Sequence, residues 1–157
     1  MPPLSALTSL ELELRFKSYV SAPEDKSTIQ DIRAVVQVVS TAPLQQLRLS
    51  FIDIFASRIA AWRALSSVAD EFILLEDAIL GLSLRTITIG FPNAKQNRAS
   101  RLFDHMREFF ARLDKAGLLH LTCSASSSET STLNLLEIVL TSHLRVTTRS
   151  PSPTLRT

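Results

Sequence analysis

Three properties of the sequence predict an α/β fold in which a parallel sheet carries its helices on one face. A short apolar motif recurs along the chain, and the segments between its copies have helical rather than alternating spacing. Inside every copy, each second residue is polar.

The first copy is Leu7-Thr-Ser-Leu10-Glu-Leu12-Glu-Leu14, of the form LxxLxLxL. It returns 37 residues later as Leu44-Gln-Gln-Leu47-Arg-Leu49-Ser-Phe51, and 40 residues after that as Leu84-Arg-Thr-Ile87-Thr-Ile89-Gly-Phe91. A weaker fourth copy, Leu119-His-Leu121-Thr-Cys123, has Ala116 where the first leucine would stand. Alternation of this kind belongs to a strand with one buried face.

The first intervening segment predicts a helix over 28–41. Ile29, Ile32, Val35, Val36 and Val39 share a face, Ser27 with Gln30 forms a capping box, and Pro43 stops the run. The second predicts a helix over 58–80, with Trp62, Leu65, Ala69, Phe72, Leu75 and Ile79 on one stripe. The third predicts a helix over 98–116, stacking Leu102, Met106, Phe109, Phe110 and Leu113 and ending at Gly117 in a left-handed C-cap.

Strands alternating with single helices imply parallel pairing through right-handed crossovers. A doubly wound sheet buries both faces and needs continuous apolar strands, whereas Glu11, Glu13, Arg48, Ser50, Thr88, His120 and Thr122 interrupt these. One face must meet water. A leucine-rich-repeat-like β-α solenoid, its helices all on the other face, meets that requirement better than a closed α/β sandwich. After Thr122 the Ser/Thr-rich stretch 124–132 reads as a solvated loop, open to phosphorylation near His120. Leu133 to Leu144 reads as a final helix covering the end of the stack. Residues 1–144 then form a single domain, and the proline- and arginine-bearing residues 145–157 form a disordered tail.

Composition narrows the function. The chain has 157 residues, 45% of them hydrophobic, which is enough for a sizeable core. With 17 Lys+Arg against 15 Asp+Glu the net charge is only +2, too little for strong nucleic-acid binding. Three glycines leave nothing to build a glycine-rich phosphate cradle, so P-loop and Rossmann nucleotide sites drop out and no cofactor is expected. One cysteine, no signal peptide and no apolar run of about 18 residues predict an intracellular chain, cytoplasmic or nuclear, with no membrane partner.

The repeated strand, the helix opening Trp62-Arg-Ala-Leu65-Ser-Ser-Val68, and the stretch from Met106 through Phe109-Phe110 and Leu113 to Leu121 resemble a known family. This is the C-terminal leucine-rich region of F-box-like proteins abundant in mushroom-forming fungi. The resemblance runs from about Leu4 to Cys123. It implies repeats that select a target protein, while a separate N-terminal F-box docks a cullin-type ubiquitin ligase. An F-box is a helical unit opening with a Leu-Pro motif, and here the first strand begins almost at Met1. The expectation is therefore a repeat region without the F-box and without the ligase link that it carries.

In an in-register parallel stack, Glu11, Arg48, Thr88 and His120 form one polar column, and Glu13, Ser50, Gly90 and Thr122 the next. Strands about 4.8 Å apart let Glu11 pair with Arg48. These residues are the candidate face for an unidentified protein partner, weighed against an ordinary solvated sheet face. Catalysis has little support: His105, His120 and His143 are far apart, neither GxSxG nor HExxH occurs, and Glu76 and Asp77 are helix neighbours that do not face each other. No catalytic or metal residues are assigned. Cys123 and Trp62 read as core, and the cations Lys95, Arg98, Arg101, Arg107, Arg112 and Lys115 as a solvated helix side interleaved with acids. Two alternatives remain, a truncated or decayed repeat fragment without independent activity, and a small α/β enzyme or ligand-binding domain.

Overall fold

The computed structural model describes residues 6–15, 22–52, 54, 56–92, 94–123, 136–140 and 144–149. Its strands are β1 (Ser9–Arg15), β2 (Gln46–Ile52), β3 (Thr86–Gly90), β4 (Leu119–Thr122), β5 (Leu136–Leu140) and β6 (Leu144–Arg149). Its helices are α1 (Ala22–Val38), α2 (Ala56–Ala64), α3 (Ser66–Leu80), α4 (Gln96–Phe109) and α5 (Ala111–Lys115), with a short 3-10 turn at Val39–Thr41. The sheet order is β4-β3-β2-β1-β6-β5. The four motif-bearing strands are parallel and neighbour one another in chain order.

Period-2 alternation decides which side of these strands is buried. Leu10, Leu12 and Leu14 of β1, Leu47, Leu49 and Phe51 at β2, and Ile87, Ile89 and Phe91 at β3 are excluded from solvent. They join Ile29, Ile32 and Val36 of α1, Trp62 of α2, Phe72, Leu75 and Ile79 of α3, and Leu102, Met106 and Phe110 around α4 in one cluster. Each such side chain contributes roughly 1.5–3 kcal/mol. The phenylalanines that end the second and third motifs stack, ring centroids 5.7 Å apart. Phe72 gathers Trp62 at 5.7 Å, Phe109 at 4.4 Å and Phe110 at 5.7 Å, tying α2, α3 and α4 together.

The helices depart from expectation at their ends. α1 begins at Ala22, so Ser27 and Gln30 lie inside it and form no capping box. Pro23 fits the first turn, where its missing N–H breaks no bond, and Glu24 and Asp25 complement the positive end of the helix dipole. The expected helix over 58–80 is two, broken at Leu65, whose backbone is extended (φ −102, ψ 101). Ser66 and Ser67, weak helix formers, follow the break, and Leu65 leaves the buried stripe for solvent. The third helix likewise breaks, at Phe110 (φ −116, ψ 46). At its far end Gly117 takes φ 70, while Leu118 N–H reaches Leu113 O at 3.1 Å and Gly117 N–H reaches Asp114 O at 3.0 Å, the two bonds of a Schellman cap.

Two expectations for the C-terminal part are overturned. The predicted helix 133–144 is, over its described residues, strand β5 and the start of β6, and the predicted disordered tail contains the rest of β6. β6 pairs antiparallel with β1, and β5 antiparallel with β6, so the sheet is parallel only over four of its strands. The run Leu144-Arg-Val146-Thr-Thr148 alternates and is rich in β-branched residues, which suits a strand. The Ser/Thr stretch 124–132 and residues 150–157 lie outside the described residues.

Candidate interaction face

The face of the parallel strands opposite the leucines carries the polar columns in the register expected. Glu11 is aligned with Arg48, Arg48 with Thr88, and Thr88 with His120. Beside them Glu13 is aligned with Ser50, Ser50 with Gly90, and Gly90 with Thr122. Glu11, Glu13, Arg48, Thr88 and Thr122 are half-buried, His120 is exposed and Ser50 is buried.

Glu11 and Arg48 pair across β1 and β2, Nε to Oε1 at 3.4 Å. Both side chains are about two-fifths exposed, at 40% and 45%, so the pair contributes about 0–1 kcal/mol. The same Oε1 accepts a hydrogen bond from Ser50 Oγ at 3.4 Å. Arg48 Nε is shielded from solvent and, although within ion-pair distance, is not aligned for a hydrogen bond. The guanidinium therefore lies along the sheet instead of standing away from it.

Gly90 lies beside it. A Cβ at this position would meet Thr122 Oγ1 at 3.2 Å, Ser50 Oγ at 3.8 Å and Arg48 Nη2 at 3.9 Å. The missing side chain leaves a recess in the middle of the face, closed in by three polar groups from β2 and the end of β4. The sequence places Gly90 in the second polar column but gives it no role of its own. Its place in a polar column, between Ser50 and Thr122, is the signal that could have found it.

Three buried carboxylates also escaped the sequence, and all three tie helices together. Asp25 of α1 accepts from Trp62 Nε1 and Arg58 Nη2 of α2. Glu71 of α3 accepts from Gln30 at 2.8 Å and lies 3.3 Å from Arg33, both on α1. Glu76 of α3 accepts from the backbone N–H of Arg112 at 2.7 Å and of Leu113 at 3.0 Å, and from Arg112 Nε at 2.9 Å. It thus caps α5 from another helix, which accounts for the break at Phe110, where no side chain of the flanking residues caps. Arg112 also meets Asp77, Nη1 to Oδ1 at 2.6 Å, so the two neighbouring acids share one partner after all. Hydrogen bonds to Asp77 and then Glu76 hold the Arg112 guanidinium above its usual range.

The other residues weighed from sequence sort as follows. Trp62 is buried as expected, while Cys123 is a free, half-buried thiol. On the basic side of α4 and α5, Arg107 pairs with Asp104 and Asp114, and Glu108 with Arg63. The side chains of Lys95, Arg98 and Arg101 have no partner among the described residues. Among the described residues no three His, Cys, Asp or Glu gather where a metal ion could bind, and no helix is long and apolar enough to cross a membrane. The arrangement is that of an α/β protein with a polar sheet face that can hydrogen-bond and ion-pair. No family model, curated protein or solved structure matches the chain.

Proposed function

We propose that this chain is a non-catalytic protein-interaction module that works inside the cell, arranged as a leucine-rich-repeat-like β-α solenoid. Its polar sheet face, built from Glu11, Glu13, Arg48, Ser50, Thr88, His120 and Thr122, receives a protein partner. The carrying observation is the register: two columns, polar but for Gly90, cross four parallel strands on the face opposite the apolar cluster. In the fungal F-box-like proteins that the sequence resembles, such repeats select a target, and the same role is the reading here.

A photo-crosslinking amino acid tests it. Placed at Thr88 it gives a discrete adduct in an extract of the native cells, and placed at the exposed Asp70 of α3 it gives none. Replacing Arg48 and His120 together by alanine removes the adduct and leaves the far-UV circular dichroism unchanged. Equal adducts from both positions, or an adduct indifferent to the double replacement, would remove the sheet face as the site.

A further inference from the structure

The sheet ends at β4, and the backbone of that edge is specific in what it leaves open. Leu118 O accepts from Ile87 N–H and Thr122 O accepts from Phe91 N–H, both at 2.9 Å. In a parallel pair every second residue turns both of its backbone groups to the same neighbour, so His120 also faces β3 while Leu119 and Leu121 face away from it. Their two N–H and two C=O groups find no partner among the described residues. β4 has no lysine, proline or bulge, the usual guards of an edge strand.

The side chains are unfinished in the same direction. Leu119 continues the row Leu10, Leu47 and Ile87, and Leu121 the row Leu12, Leu49 and Ile89. The earlier members are at most 1% exposed, whereas Leu119 and Leu121 are half-buried against the core cluster. On the other face of β4, His120 is exposed and Thr122 half-buried.

We propose that the β4 edge takes an extended segment of a protein partner as a further strand, with apolar residues at every second position. A polypeptide backbone supplies N–H and C=O groups at the two-residue spacing that Leu119 and Leu121 present. Apolar side chains toward the helices complete the two rows, and polar ones lie beside His120 and Thr122. A second copy of this chain would offer a four-residue strand, which buries far less than the roughly 800 Å² a side of a stable pair. The inference goes beyond the polar-face reading and stands without it, because it uses the backbone and the apolar side of β4.

Amide hydrogen exchange of the full-length chain, read residue by residue by NMR, tests it. The probe is an end-blocked peptide of sequence Arg-Thr-Ile-Thr-Ile-Gly-Phe, the chain's own residues 85–91. The Leu119 and Leu121 amides exchange freely without peptide and about tenfold or more slowly when it saturates the chain. A peptide N-methylated at its threonines and isoleucines keeps its side chains but cannot donate in either strand direction, and it leaves both amides free. Leu121→Pro removes an N–H that β3 does not use and weakens binding about tenfold or more. Should that variant not fold, the methylated peptide decides alone. Protection of neither amide, or equal protection by both peptides, would overturn the proposal. Slow exchange of the two amides without peptide would mean that this chain or a second copy already fills the edge, and would overturn it as well. Failure of the Thr88 crosslink would touch only the polar-face reading.

Discussion

Glu76 uses both of its carboxylate oxygens to join α3 to α5. One carboxylate oxygen serves two backbone N–H groups at the start of α5, and the other faces Arg112. Truncation leaves the Leu113 N–H buried without an acceptor, at a cost of roughly 1–3 kcal/mol for the orphaned group together with the lost charge-assisted bonds. Glu76→Ala is expected to lower stability in urea by about 3 kcal/mol. Glu76→Gln keeps an acceptor oxygen and should lose about half of that. Equal losses would mean that the charge, and not the cap, holds the break at Phe110. None of this was visible in the sequence, where Glu76 has no local partner. Its ligands are 36 and 37 residues away, and helical periodicity records which face a residue occupies, not what waits there.

At the scale of elements, the break between α2 and α3 separates two leucines that the sequence places on one stripe. Leu65 is 38% exposed and Leu75 is fully buried. Leu65→Glu should therefore change the urea midpoint little, whereas Leu75→Ala should cost about 2–5 kcal/mol. Equal damage from both would restore a continuous helix. The strands were the legible elements, because a two-residue period is strict and a slip of one would invert every side chain. From that strictness the polar columns could be aligned residue by residue, and Glu11 with Arg48 is the pair so found. Helix ends were less legible. Pro23, Glu24 and Asp25 start α1 ahead of the apolar run that announced it. The stretch from Leu133 to Leu144 deceived for another reason: its apolar residues satisfy helical spacing and also supply the continuous run of a strand such as β5, and only pairing with β6 decides. The recess at Gly90 belongs to the same class, since it exists only where β2, β3 and β4 are side by side.

For the whole molecule the sheet order has a consequence in time. Each of β2, β3 and β4 is set beside the strand that precedes it in the chain, and these four strands can assemble as the polypeptide is synthesised. β6 breaks the sequence: its Val146 is aligned with Leu12 of β1, nearly the full length of the chain earlier. Contacts this remote close late, because the entropy of the intervening loop must be overcome first. In pulsed hydrogen exchange during refolding, amides shared by β2 and β3 are expected to gain protection before those shared by β1 and β6. Simultaneous protection would show one concerted step. Until β6 arrives, the outer backbone of β1 is an open template for another strand. A chain whose β6 has not yet paired is therefore open to pairing with its neighbours along β1, and crowding during synthesis is a hazard that this topology carries.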